Sequence, residues 1–201
     1  MAPGIEWAMA SRSRHPGQES GDACLVCALP AGTMVAVVDG LGHGPDASVA
    51  ARRAIALLAE SSGEAPVDAL QRCHAGLRST RGAVMGVAWF DAASDTMTWM
   101  GVGNVAGVLL RSGGASGPLR VMLLTRGGVV GRQLPSLHAS AVRIGNGDVV
   151  ALATDGIRGS FSSAMPCPRD LQPAADGILA NFGGGGDDAL VVVVRYRGET
   201  A

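Results

Sequence analysis

The order in which strand-like and helix-like segments follow one another constrains this chain most. Apolar runs at Ile5–Ala10, Ala23–Leu29 and Thr33–Asp39 read as strands, the last two joined by a turn at Pro30-Ala31-Gly32. Two helix patterns follow. Pro45–Glu60 opens with Pro45, suited to the first helical position, and Asp46, suited to the positive end of the helix dipole. Its Ala47, Ala50, Ala51, Ala54, Ile55, Leu57 and Leu58 form a stripe that can lie close against a sheet. Pro66–Thr80 carries Val67, Leu70, Cys73, His74 and Leu77 on one side. A meander comes next, with strands at Ala83–Phe90, Thr96–Val102, Val105–Arg111, Leu119–Leu124, Ser140–Ile144 and Asp148–Ala153. Turns at Asp91-Ala92-Ala93-Ser94, Ser112-Gly113-Gly114 and Gly145-Asn146-Gly147 separate them. A helix over Arg169–Asn181, broken by Pro173, reaches a closing strand, Ala189–Tyr196, through Gly183–Gly186. This order is not the alternation that builds a parallel sheet. It predicts an α+β fold of mainly antiparallel sheets covered by helices.

At 201 residues, 47% of them hydrophobic and 16% charged, the chain can bury a proper core, and one domain over residues 1–201 is expected. A net charge of −1 and the lack of a basic block give no electrostatic reason to expect nucleic acid or an anionic membrane as partner. The uncharged stretch Ala23–Val38 is interrupted by its Pro-Ala-Gly turn. Met1–Ala10 holds Pro3 and Glu6 and lacks a basic-then-apolar signal design, so a cytoplasmic location is expected. Cys24-Leu25-Val26-Cys27 has C-x-x-C spacing, but in a strand its two sulfurs point to opposite faces. With Cys73 and Cys167 they read as buried free thiols.

Chemistry concentrates at strand ends. Asp39-Gly40-Leu41-Gly42-His43-Gly44 follows the run Met34–Val38, and its glycines allow a close backbone approach. Thr154-Asp155-Gly156-Ile157 follows Val149–Ala153, Asp187-Asp188 precedes Ala189–Val194, and Asp22 in Ser20-Gly21-Asp22 precedes another strand. Each aspartate alone is an ordinary turn former. Converging, they suit a hard divalent cation, and their mutual repulsion is expected to raise their pKa values. Other motifs fail. Gly101-Val102-Gly103-Asn104-Val105-Ala106-Gly107 has its third glycine one residue late and leads into a strand, and the glycine run at 183–186 lacks a following Lys-Ser/Thr. His15, His43, His74 and His138 lack metal-cluster spacing, and no serine sits in a nucleophile elbow.

Taken in order, Ser-Gly-Asp, Asp-Gly-Leu-Gly-His-Gly, Thr-Asp-Gly-Ile and Asp-Asp-Ala-Leu-Val-Val resemble the motifs of the PP2C-type metal-dependent protein phosphatases, in their SpoIIE-like branch. The length, Arg81-Gly82-Ala83 and Val102-Gly103-Asn104-Val105 are similar to the RsbX-type subfamily of small stand-alone phosphatases. The resemblance covers nearly the whole chain. It implies an α-β-β-α sandwich with two Mn²⁺ or Mg²⁺ ions between the sheets at one edge. Asp39 would bridge the ions with help from the Gly40 carbonyl, Asp155 and Asp187 would hold the other side, and Asp22 would orient metal-held water from behind. Asp188 falls where many relatives have Asn.

Two hard cations about 3.5–4 Å apart can acidify a water and neutralise charge on a phosphoryl group, with no covalent enzyme intermediate. The chain departs from the pattern in three places. Leu41 stands where larger relatives have a candidate acid His, with His43 two residues on; Leu190 replaces a frequent Thr; and only Arg12 and Arg14 lie near the place of a phosphate-binding Arg. The implied activity is dephosphorylation of phosphoserine or phosphothreonine in STAS-domain proteins of a partner-switching or stressosome pathway. A non-catalytic module that binds a STAS partner, and a hydrolase of small phosphorylated metabolites, are the alternatives. Gly127–Pro135, with Arg126 and Arg132, is the expected substrate-facing flap.

Overall fold

The computed structural model describes residues 4–29, 32–61, 64–113 and 119–198. Met1–Pro3 of the N-terminal reading, Pro30 and Ala31 of the first turn and Gly114 of a later one lie outside them. The strands are β1 (Ile5–Arg12), β2 (Asp22–Leu29), β3 (Gly32–Gly40), β4 (Ala83–Asp91), β5 (Thr96–Val102), β6 (Ala106–Leu110), β7 (Arg120–Leu123), β8 (Ser140–Arg143), β9 (Val149–Ala153) and β10 (Ala189–Tyr196). The helices are α1 (Pro45–Ala59), α2 (Pro66–Gly76), α3 (Phe161–Ala164) and α4 (Leu171–Phe182).

Two five-stranded sheets form, in the orders β1-β10-β9-β6-β7 and β2-β3-β4-β5-β8. Every pairing within them is antiparallel. α1 and α2 cover the second sheet, while α4 lies on β1 and β10 of the first. The layer order is therefore α-β-β-α, and side-chain alternation explains it. On β3, Val35 and Val37 enter the core between the sheets, while Met34, Ala36 and Val38 enter the core under α1 and α2. On β10, Leu190, Val192 and Val194 face between the sheets, and Val191 and Val193 face α4. A strand buried on both faces needs an unbroken apolar run, and both strands have one.

Three sequence readings need correction. Pro173 does not break its helix: it is the third residue of α4, where an amide has no helical acceptor to lose. α2 stops at Gly76, short of Thr80, because the Thr80 hydroxyl donates to the Leu77 carbonyl and accepts from the Gly82 amide, folding residues 77–82 into a turn. The four cysteines are free, but only Cys73 is buried; Cys24 and Cys27 are half-buried and Cys167 is exposed. α3, a single turn, carries too little periodicity to be seen in the sequence. Among the described residues, no helix is long and apolar enough to cross a membrane.

Candidate metal and phosphate site

The strand ends of the two sheets meet at one edge of the sandwich. β3 delivers Asp39, and antiparallel register sets Asp22, at the start of β2, directly opposite it. β9 runs out into Thr154-Asp155, and β10 is entered through Asp187-Asp188; these strands pair with Ala153 opposite Val191. Asp39, Asp155 and Asp187 line one cleft of about 320 Å³ with Arg14, Leu41, Gly42, His43, Val84, Asn104 and Val129. Asp22 and Gly40 sit behind this lining. Clefts of about 400 Å³ beside α4 and about 630 Å³ beside residues 124–140 are larger, yet neither contains any of these acids.

The two Asp-Gly pairs have a packing cause. A Cβ at Gly40 would fall 2.0 Å from the Ala47 carbonyl oxygen in the first turn of α1. One at Gly156 would fall 1.8 Å from the Asp188 carbonyl oxygen. What the glycines let approach is the protein's own backbone. That close approach brings the carboxylates of separate elements to one place.

Hydrogen bonds orient the acids. The Thr154 hydroxyl donates to Asp22 Oδ2 at 2.7 Å and accepts the Leu190 amide at 2.9 Å. It thereby braces the two sheets against each other, while the Leu190 side chain goes into the core between them. Asn104 Nδ2 donates to Asp155 Oδ2 at 2.5 Å, and the Asp39 carboxyl is also within hydrogen-bonding reach of Asp155. Asp187 and Asp188 divide their work. Asp187 is exposed in the cleft, whereas buried Asp188 accepts the Arg14 amide at 2.8 Å and the Gly21 amide at 2.7 Å. Asp188 clamps both ends of the β1–β2 connection, which leaves its neighbour free. Thr154, Asn104 and the clamp were missed from sequence, because their roles depend on contacts between distant segments.

Burial is the main reason these acids resist ionisation. It pushes Asp22 up to about 7, against the favourable Thr154 hydrogen bond and with added repulsion from Asp188, Asp155 and Asp187. It pushes Asp39 up to about 8, with further repulsion from Asp22 and Asp155. Asp155 is raised as well, by burial first and then by Asp187, against the Asn104 hydrogen bond. Repulsion, the cause expected from sequence, is therefore secondary to desolvation.

Among the described residues, none of Asp22, Asp39, Asp155 and Asp187 is in an ion pair. Nor do any three His, Cys, Asp or Glu side chains form a ready-made ion cage. A hard divalent ion that keeps several waters needs only one or two carboxylates from the protein. Oxygen donors, no thiolate in the lining and acids without a cationic partner fit Mg²⁺ or Mn²⁺ better than zinc.

The remaining residues separate clearly. Arg12 is used by the fold, donating to the Gly184 carbonyl at 2.6 Å, while Arg14 lines the cleft. His43 is exposed in the lining, and Leu41 packs against the core between the sheets. Of the expected flap, Val129 lines the cleft; Arg126 lines the neighbouring 630 Å³ cleft, and Arg132 donates to the Thr80 and Arg81 carbonyls.

Residues 30–197 match the family Stage II sporulation protein E (SpoIIE), so the chain belongs to that family and is a SpoIIE-like PP2C phosphatase by fold. A solved structure from the bacterial stressosome, described as a modular system adapted to control secondary messenger signaling, is 30% identical. The match covers 95% of this chain and 99% of that one, with a TM-score of 0.85. RsbX in complex with magnesium is 18% identical over 96% of this chain and 95% of its own, with a TM-score of 0.82. The catalytic domain of the serine/threonine protein phosphatase PstP with two manganese ions is 19% identical over 96% and 98%, with a TM-score of 0.68. No curated protein matches the chain in sequence.

Proposed function

We propose that residues 1–201 form one cytoplasmic catalytic domain that hydrolyses phosphoserine or phosphothreonine in a phosphorylated STAS-domain protein of a partner-switching pathway, using two Mn²⁺ or Mg²⁺ ions. The observation that carries this reading is the convergence of Asp39, Asp155 and Asp187 in one cleft, with Asp22 half-buried behind them. Magnesium and manganese in the related RsbX and PstP structures support the choice of ions, and the stressosome relative supports the pathway.

Asp39, Asp155 and Asp187, with the Gly40 carbonyl, would hold the ions. Bound there, they supply Lewis acidity toward the phosphoryl oxygens and lower the pKa of a water. The chain's own groups do the rest. Asn104 fixes the rotation of Asp155. Asp22, held by the Thr154 hydroxyl behind the lining, would orient the attacking water, whose proton passes to solvent as the new P–O bond forms. Arg14 meets the phosphoryl oxygens with a fork of donors. Leu41, Val84 and Val129 form an apolar wall that limits water on the other side. As the bond from phosphorus to the serine oxygen breaks, His43 is the lining group whose chemistry suits protonating that oxygen.

Phosphate release from a phosphorylated STAS protein is the test, with Mn²⁺, with EDTA, and with Asp39→Ala. Release that needs Mn²⁺ and is lost in both controls is the expected result. Undiminished turnover by Asp39→Ala would overturn the metal assignment. Folded protein that binds the partner without releasing phosphate would turn the reading to a binding module.

A further inference from the structure

Beside the catalytic cleft lies a second pocket, of about 330 Å³, lined by Asp46, Val49, Ser79, Thr80, Arg81 and Arg132. In this lining the Arg81 guanidinium meets the Asp46 carboxylate, while the Thr80 hydroxyl and Arg132 are engaged with backbone groups, so Arg81 is the cation that suits an incoming anion. The pockets are neighbours through one residue. Gly42 lines the catalytic cleft, and a Cβ built on it would lie 2.7 Å from Arg81 Nη1. Arg81 therefore lies against the floor of the Asp39–Gly44 loop and looks into the second pocket.

The backbone at Arg81 is fixed while its guanidinium is not. Its carbonyl accepts from Arg132 Nε at 3.2 Å, the Thr80 carbonyl accepts from Arg132 Nη2 at 2.8 Å, and the Thr80 hydroxyl accepts from the Gly82 amide. The Gly82 carbonyl in turn accepts the Leu41 amide at 3.0 Å, tying this turn to the catalytic loop. The guanidinium is different: Nη2 meets Asp46 Oδ2 at 2.7 Å, with the side chains 49% and 68% exposed. An ion pair so open to solvent is weak and easily exchanged. Asp46 thus occupies the pocket with the chain's own carboxylate, in the place an incoming carboxylate would take.

We infer that Arg81 and its pocket form a specificity subsite for an acidic side chain of the protein substrate, close to its phosphorylated residue, with Asp46 as the internal competitor that this side chain displaces. The inference rests on the phosphatase reading. It assigns Arg81 a role separate from Arg14, which lies in the catalytic cleft itself. Arg132, which donates Nε to the Arg81 carbonyl and Nη2 to the Thr80 carbonyl, positions Arg81.

The test uses the full chain with Mn²⁺ and a series of phosphoserine peptides, alanine elsewhere, with one glutamate moved residue by residue along the peptide. In the wild type, glutamate at one spacing raises kcat/KM about threefold to tenfold over glutamine at the same place. Arg81→Gln removes that preference, Asp46→Asn widens it, and Arg81→Glu transfers it to a lysine peptide. A structural role for Arg81 would not reverse the charge preference. No preferred spacing in the wild type, a glutamate preference that survives Arg81→Gln, or a narrower one in Asp46→Asn would overturn the subsite. Absence of Mn²⁺-dependent release from every peptide and from p-nitrophenyl phosphate would overturn the phosphatase reading and the subsite with it.

Discussion

Asp187 and Asp188 are adjacent carboxylates whose replacement should have opposite consequences. In Asp188→Ala the Arg14 and Gly21 amides lose their acceptor, and the Gly21 amide is buried. A hydrogen bond to a charged group contributes about 1.5–3 kcal/mol, so two contribute about 3–6 kcal/mol. Part of that is offset, because Asp188 is also one of the negative charges raising the pKa values of Asp22 and Asp39. A net loss of about 3 kcal/mol is expected, equivalent to roughly 6–12 °C in Tm for a chain of this size. Asp188→Asn keeps one acceptor oxygen but turns an amide group toward the other N–H, so it should lose about half as much. Asp187→Ala removes an exposed carboxylate that, among the described residues, accepts only the adjacent Asp188 amide and repels Asp22, Asp39 and Asp155, so stability should be unchanged or slightly raised, by about 0.5 kcal/mol. Its phosphatase activity should nevertheless be lost. Urea unfolding in EDTA, followed by circular dichroism, measures the first effect, and Mn²⁺-dependent phosphate release the second. Asp188→Ala as stable as wild type, or Asp187→Ala the less stable of the two, would refute the division of labour.

In the metal-free protein, Asp22 near 7 and Asp39 near 8 stand above the ordinary carboxylate value of 3.8, so the folded state holds protons that the unfolded chain releases. Their contribution to stability is whole below about pH 4 and is lost as pH rises toward 8; a Tm in EDTA that rises over this range would contradict it. Thr154→Val keeps the shape but leaves the buried Leu190 amide without its hydroxyl acceptor, and should cost about 1–3 kcal/mol in urea unfolding with an unchanged m-value. Asn104→Ala should fold normally, yet lower kcat, because Asp155 loses its fixed rotation; unaltered kcat would show that rotation to be set elsewhere. Gly40→Ala forces a methyl group onto the Ala47 carbonyl, and should cost about 1–3 kcal/mol by the same unfolding assay.

Strands buried on both faces, such as β3 and β10, were readable because their apolar runs are unbroken and bounded by turn residues. The four aspartates at strand ends were readable for the same reason, since a strand end places its next residue at the sheet edge. What sequence alone could not supply was partnership. Thr154 faces Asp22 across 132 positions, and Arg14 meets Asp188 across 174; no local pattern encodes either. Pro173 was misread because a proline in a first turn and one in mid-helix look alike until the helix start is known. Cys24 and Cys27 were misjudged because the burial of β2, at the margin of its sheet, depends on what neighbours leave uncovered, and Cys167 because it lies in the irregular segment between α3 and α4.

Asp39 belongs to one sheet, and Asp155 and Asp187 to the ends of strands in the other. The gap they span is thus a gauge of how the two halves of the sandwich sit. A slide of one sheet over the other by a few tenths of an ångström would change the spacing of these carboxylates, and of any ions they would hold, without altering a single side chain among them. Any contact that loads the outer helices on one side is mechanically in series with the chemistry.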